Sequence, residues 1–279
     1  MAYKSLLTVL TDPKVSDPAM AQLVALAAVQ DAHAEALCLG VDRTQTGYYY
    51  AGANAMILQE TLERATAEAE ATLAYAKEKL GKSGVRWSAE DGVAQIADLG
   101  RHVAYRARFS DLVVLPRPYG EGHGAEAEPI IEAALFDGHA PVLVVPDGYK
   151  AEGQPKTILV GWNESVEAMT AIRKALPFLI AAEQVRIVVI DPPQHGPERS
   201  DPGGLLSQML ARHGVTCEID VLSKTMTRVS DILNRHADDT GADMIVMGAY
   251  GHSRFREAIL GGATRNMLEK STIPVFMAH

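Results

Sequence analysis

Short apolar runs alternate with longer stretches whose apolar residues recur at helical spacing, and the alternation occurs twice along the chain. The first half opens with Ser5-Leu6-Leu7-Thr8-Val9-Leu10 and passes into an Ala-rich stretch from Asp17 to Gln30. A second apolar run follows from Glu35 to Val41. The second half opens with Thr157-Ile158-Leu159-Val160-Gly161-Trp162-Asn163, continues in a helical pattern from Glu164 to Ala181, and reaches a run from Val185 to Ile190. Gly84-Val85 and Gly214-Val215 introduce the third runs. Asp111–Leu115 and Asp243–Met247 are the fourth, and Pro141 and Pro274 open the fifth. Apolar runs of this length, free of strict alternation, fit strands buried on both faces, and the intervening periodicity fits crossover helices. The pattern predicts an α/β chain of two tandem doubly wound domains, each with a five-stranded parallel sheet. The modules are expected at 1–147 and 156–279, with 148–155 having the composition of a linker.

The candidate chemistry lies after the fourth run of the second half. Met247-Gly248-Ala249-Tyr250-Gly251 ends a buried strand, Gly261-Gly262-Ala263-Thr264 follows, and Ala263 to Lys270 reads as a short helix. Glycines at 248 and 251 are expected to admit positive φ and a close backbone approach to a ligand. Gly261 and Gly262 are expected to free amide groups at the helix start, where anions bind. Thr264 offers a hydroxyl, and His252, Arg254, Arg256 and Arg265 offer positive charge. In a doubly wound sheet the ligand lies at the carboxyl ends of the strands, which adds Asn163 and Ile190 to the set. Asn163 also suits capping of the helix near Glu164, and Asp191, before two prolines, is a further ribose or Mg²⁺ candidate that better suits a turn.

The spacing Gly248-x2-Gly251-x9-Gly261 after a Val-Met strand end, with Pro274-Val275 opening a closing strand, resembles the nucleotide loop of the universal stress protein family. With the repeated pattern, the resemblance extends over nearly the whole chain and implies a tandem member with a Rossmann-like fold of the adenine nucleotide alpha hydrolase type. It implies ATP, ADP or AMP as ligand, with Mg²⁺ as companion ion. Asn163, Ile190, Met247, Gly248, Gly251, His252, Arg254, Gly261, Gly262, Ala263 and Thr264 would form the site. Two positions depart from the family pattern. Gly262 stands where Ser or Thr usually follows the last glycine, and Asn163 stands in place of an acidic residue that helps hold base and ribose. In the family single modules commonly pair through their last strands, so Val142–Val145 and Val275–Met277 are expected to pair, within one chain as a pseudo-dimer or between chains.

The corresponding loop of the first half, from Pro116 to Glu128, carries Pro116 and Pro118, which lack amide donors, and Glu121, Glu126 and Glu128, which repel phosphate. The first module is therefore expected to bind no nucleotide, and Gly120, Gly122 and Gly124 are read as flexible loop residues in preference to a small anion nest. Tyr48, Tyr49 and Tyr50 suit packing or an interface. The 279 residues carry 35 acidic and 26 basic side chains, a formal net charge of −9. That balance opposes nucleic acid and anionic membranes as partners. The start at Met1-Ala2-Tyr3-Lys4 enters a strand directly, so a cytoplasmic protein is expected, with Cys38 and Cys217 as buried free thiols. No nucleophile elbow, Walker loop or His-x3-His spacing occurs, so neither a catalytic set nor a metal site is assigned. The function expected is nucleotide-dependent regulation in stress adaptation. A scaffold with both loops degenerate is the first alternative, and a slow ATP hydrolase is the second.

Overall fold

The computed structural model describes residues 2–43, 54–192, 200–251 and 262–279, with the side chains of 54–58 excepted. The chain divides into two units, Tyr3–Ala140 and Pro141–His279. The first contains β1 (Ser5–Leu10), α1 (Pro13–Gln30), β2 (His33–Asp42), α2 (Asn54–Gly81), β3 (Arg86–Gln95), α3 (Leu99–Ala107), β4 (Leu112–Pro116) and α4 (Ala127–Glu132), which runs on into a π-helical turn at Ala133–Asp137. Its strands lie in the order β3-β2-β1-β4 and are parallel. The second unit contains β5 (Val142–Val145), β6 (Thr157–Trp162), α5 (Val166–Ala181), β7 (Gln184–Ile190), α6 (Gly204–Arg212), β8 (Cys217–Leu222), α7 (Val229–Thr240), β9 (Met244–Gly248), α8 (Ala263–Lys270) and β10 (Val275–Ala278). Its order is β8-β7-β6-β9-β10-β5, parallel except for β5.

The position of β5 differs from the expected five strands in each half. Val142–Val145 pairs antiparallel with β10, with Val144 opposite Val275 and Val142 opposite Met277, and falls within the second unit. All four of its residues are buried, as are all four of β10. Two short, wholly apolar strands thus cover each other's edges, which would otherwise expose unpaired amides.

The central strands are buried on both faces. In β1, β4, β6 and β9, Leu6, Leu7, Leu112, Val113, Ile158, Leu159, Ile245 and Val246 are all without solvent exposure. Behind β10, Phe276 meets Phe178 of α5 edge to face, with ring centroids 6.0 Å apart. A carboxylate clamp is built identically in each unit. Asp111 Oδ2 accepts hydrogen bonds from the amides of Lys4 (2.7 Å) and Ser5 (3.0 Å), and Asp243 Oδ2 from those of Lys156 (2.7 Å) and Thr157 (2.9 Å). Each aspartate opens the fourth strand and satisfies the first amides of the first strand beside it. Gly84 and Gly214, with φ of 73° and 82°, make the corresponding left-handed turns before the third strands.

Cys38 is buried, and burial, followed by the nearby Asp91 charge, pushes its thiol up to about 12. Such a thiol stays protonated and unreactive. Cys217 is only half-buried, against expectation, because β8 lies at the sheet edge, and its Sγ lies 3.5 Å from Ser207 Oγ. No helix among the described residues is long and apolar enough to cross a membrane.

Candidate functional site

In the second unit the strand order reverses between β6 and β9, and a cleft of about 620 Å³ opens at the carboxyl ends of these strands. Of the residues expected from the sequence, Asn163, Ile190, Met247, Gly248, Gly251, Gly262, Ala263 and Thr264 all line it. His252, Arg254 and Gly261, as well as Arg256 and Tyr48–Tyr50, lie outside the described residues. Arg265 does not line the cleft. Its guanidinium pairs at 3.0 Å with Glu269 one turn on, along the surface of α8.

Several linings were not singled out from the sequence. Val188 and Ile190 alternate on the same face of β7, Val229 and Leu233 are one turn apart on α7, and together they form an apolar wall. Gly161 faces the same space. A Cβ there would approach Leu233 Cδ1 at 3.6 Å, so the absence of a side chain widens the cleft beside α7. Period-two alternation in β7 and period-four spacing in α7 were the sequence signals for this wall.

The glycine loop works differently from expectation. Neither Gly248 nor Gly251 has positive φ; the left-handed residue between them is Tyr250, at 55°. A Cβ on Gly248 would lie 2.5 Å from the Ala168 amide nitrogen and 2.7 Å from the Glu167 carbonyl carbon. Gly248 is therefore required by backbone packing of β9 against the first turn of α5, before any ligand is considered. A Cβ on Gly251 would lie 3.3 Å from Glu167 Oε2, so the glycine keeps that carboxylate beside the loop. Glu164 and Asp191 also adopt left-handed φ, 60° and 51°, at the ends of β6 and β7. Strained non-glycine backbone thus surrounds the carboxyl ends of three adjacent strands, the pattern found at ligand sites.

Ser165, and not Asn163, caps α5, its Oγ accepting from the Ala168 amide at 3.1 Å. Asn163 is exposed, and its Oδ1 receives the Ser165 amide at 3.3 Å, an Asx turn that leaves the side-chain NH₂ available to the cleft. Gly262 is the N-cap of α8 and provides no side-chain acceptor, so the first-turn amides of that helix receive nothing from their cap. Thr264 is buried, and its Oγ1 accepts from the Tyr250 amide at 3.1 Å. The hydroxyl expected to face a phosphate is first a tie between the loop and the helix, with its proton left to donate.

Along the same face of β7 from Val188 and Ile190 stands Arg186, which binds both oxygens of Asp220 at 2.7 and 2.8 Å. His236 Nε2, one turn from Leu233 on α7, lies 2.8 Å from Asp220 Oδ2. Burial pushes the Asp220 carboxyl up, but the hydrogen bonds from Arg186 and His236 and their charges outweigh it and hold it below the usual carboxylate range. A depressed carboxylate contributes stability in full above its unfolded value and loses it as pH falls through the lower folded value. Asp220→Asn is accordingly expected to lower stability at neutral pH by about 1–3 kcal/mol and to shrink the difference from the parent in acid. Urea titrations at several pH values that find a constant difference would contradict this. Among the described residues no group of three His, Cys, Asp or Glu is placed to hold a metal ion.

Residues 155–279 match the family model "Universal stress protein family". The Universal stress protein Slr1230 of Synechocystis sp. is 26% identical over 159 residues, 56% of this chain and 52% of that protein. The Universal stress protein MJ0577 of Methanocaldococcus jannaschii is 42% identical over 41 residues, 15% of this chain and 25% of that protein. The chain thus matches about half the length of one curated relative and a quarter of the other. The crystal structure of a universal stress protein from Archaeoglobus fulgidus superposes with a TM-score of 0.75 at 14% identity, covering 98% of this chain and 96% of that one. At that identity the likeness is one of fold.

Proposed function

We propose, from the match of residues 155–279 to the universal stress protein family model, that the second unit binds an adenine nucleotide, with ATP as the principal ligand, and that occupancy regulates the protein. The observation that carries this reading is the convergence of the loop residues Gly248, Gly251, Gly262, Ala263 and Thr264 with Asn163 and Ile190 around one cleft of nucleotide size. The apolar wall of Val188, Ile190, Val229 and Leu233 suits a base. The Asn163 amide suits a ribose or base edge, and the uncapped first turn of α8 suits phosphate oxygens.

Asn163 carries no charge and no acidic trio is assembled among the described residues, so Mg²⁺ would enter on the phosphates and be held chiefly by them. Glu167 beside Gly251 places a negative charge near the phosphate end. It favours a ligand that arrives with its cation and disfavours a bare polyanion. The reading is a binding and signalling protein in a cytoplasmic setting. Partner choice or self-association through surfaces that respond to occupancy would deliver the signal.

Freshly purified protein, denatured and analysed by liquid chromatography with mass detection, is expected to release up to one adenine nucleotide per chain, and the Gly251→Val variant none. Release of no nucleotide, together with no uptake of added Mg-ATP, would leave a scaffold role as the reading.

A further inference from the structure

The first unit has a cleft in the same place, and it is nearly closed. The strand registers superimpose Ser5 on Thr157 and Leu112 on Met244, so Val9 stands where the second unit has Gly161 and Pro116 where it has Gly248. The remaining cavity measures about 80 Å³ and is lined by Asp12, Ser16, Arg43, Gly122, Gly124 and Glu126, among others. Two features close it. The Val9 side chain occupies the side opened by Gly161 in the second unit, and the Glu126 side chain, only 2% exposed, reaches in to Arg43.

The contact is bidentate. Arg43 Nη2 donates to Glu126 Oε1 at 2.5 Å and Nε to Oε2 at 3.4 Å, while Nη1 meets Glu68 of α2 at 3.1 Å. The two partners are 83 residues apart in sequence, so the pair is made by the fold and not by local chain geometry. The loop is shaped around the acid. A Cβ on Gly124 would lie 2.4 Å from Glu126 Oε2, so only glycine at 124 leaves the carboxylate in place. A loop residue that reads as merely flexible thus has a specific task.

We propose that the first unit's cleft is an oxyanion site occupied in cis, with Arg43 as its anion-binding residue and the Glu126 carboxylate as its built-in ligand. A guanidinium fork holding a carboxylate through two parallel bonds presents the geometry with which it would hold a free carboxylate or phosphate. The ligand class is a small oxyanion, because Val9 leaves no room for a base. The other ionisable groups at the cavity are Asp12, whose Oδ1 receives the Lys14 amide, and His123, with Glu68 on the outer side of Arg43. With Glu126 in place, these groups make the cleft self-sufficient and confine nucleotide to at most one per chain. The proposal does not depend on the second unit binding nucleotide.

The test is chemical rescue in the full-length chain. Glu126→Ala leaves the partly exposed Arg43 facing an empty space with Glu68 still paired to it, and its Tm is expected to fall by about 5–10 °C. Sodium acetate at about 100 mM, compared with sodium chloride at equal ionic strength, is expected to recover half or more of that loss, with inorganic phosphate acting alike. The parent and the Arg43→Met/Glu126→Ala double variant are expected to show no acetate-specific gain. A gain of the same size in the double variant would mark a general salt effect and overturn the proposal, as would no acetate-specific gain in Glu126→Ala. Should Glu126→Ala fail to fold, Glu126→Gln keeps the shape and loses the charge. Acetate is then expected to compete for Arg43 and raise its Tm, and an unresponsive Glu126→Gln would overturn the proposal.

Discussion

Gly40→Ala is expected to cost about 3 kcal/mol or more, the largest loss from a methyl group added at any described glycine of the first unit. A Cβ at position 40 would lie 1.7 Å from the carbonyl oxygen of Ala65 and 2.6 Å from its carbonyl carbon. Both atoms belong to the backbone of α2, so no side-chain rotation relieves the overlap. The strand cannot yield either, because β2 pairs along its length with β3 and, from His33 to Cys38, with β1. The helix must lift from the sheet, and it must do so where Ala65 and Ala69 are buried with 1% exposure each. Gly92→Ala on the neighbouring strand is the control, since its Cβ would approach Leu39 Cδ2 at an ordinary 3.6 Å. Thermal unfolding should place Gly40→Ala about 6–12 °C below the parent and Gly92→Ala within about 2 °C of it. Equal midpoints for the two variants would contradict the close packing of α2 on β2.

Mg-ATP at a hundred times its dissociation constant is expected to raise the stability of the second unit by about 2.7 kcal/mol, and Gly251→Val is expected to remove that gain. The choice of variant matters. At position 251 an added Cβ meets, among the described residues, the end of the flexible Glu167 carboxylate, so the unliganded protein should unfold within about 1 kcal/mol of the parent. Any lost response then reports on the cleft. Gly248→Ala would also abolish the response, but by driving a methyl group into the backbone at Glu167 and Ala168, so its failure to bind would say nothing about phosphate recognition. A parent protein that gains no stability at any Mg-ATP concentration up to about 10 mM would argue that Asn163 and Gly262 have silenced the loop.

The elements that position the cleft were legible because their signals are local. The apolar run ending at Met247 and the helix Ala263–Lys270 follow from burial and spacing, and Gly84 and Gly214 mark strand entries that need left-handed φ. What escaped the sequence is long-range. The task of Gly248 is set by α5, some 80 residues upstream, and the left-handed position of the loop fell to Tyr250 and not to either glycine. The cap of α5 went to Ser165 because Asn163 spends its oxygen on an Asx turn just before the helix, two good caps competing within three residues. Glu126 read as a charge that repels phosphate. Nothing local to it announces Arg43 as its partner.

Val142–Val145 has a consequence for taking the chain apart. A fragment begun at the natural-looking seam near residue 156 would carry every lining residue of the cleft yet leave out the strand that covers Val275–Met277. Its outermost strand would then be Val-Phe-Met-Ala, apolar, short of any charge, and open along one side. Such a border recruits whatever strand is nearest, another molecule of the fragment first of all. The smallest portion that keeps Val275–Met277 covered starts at Pro141, so the segment that reads as the tail of the first half is the protective hem of that strand.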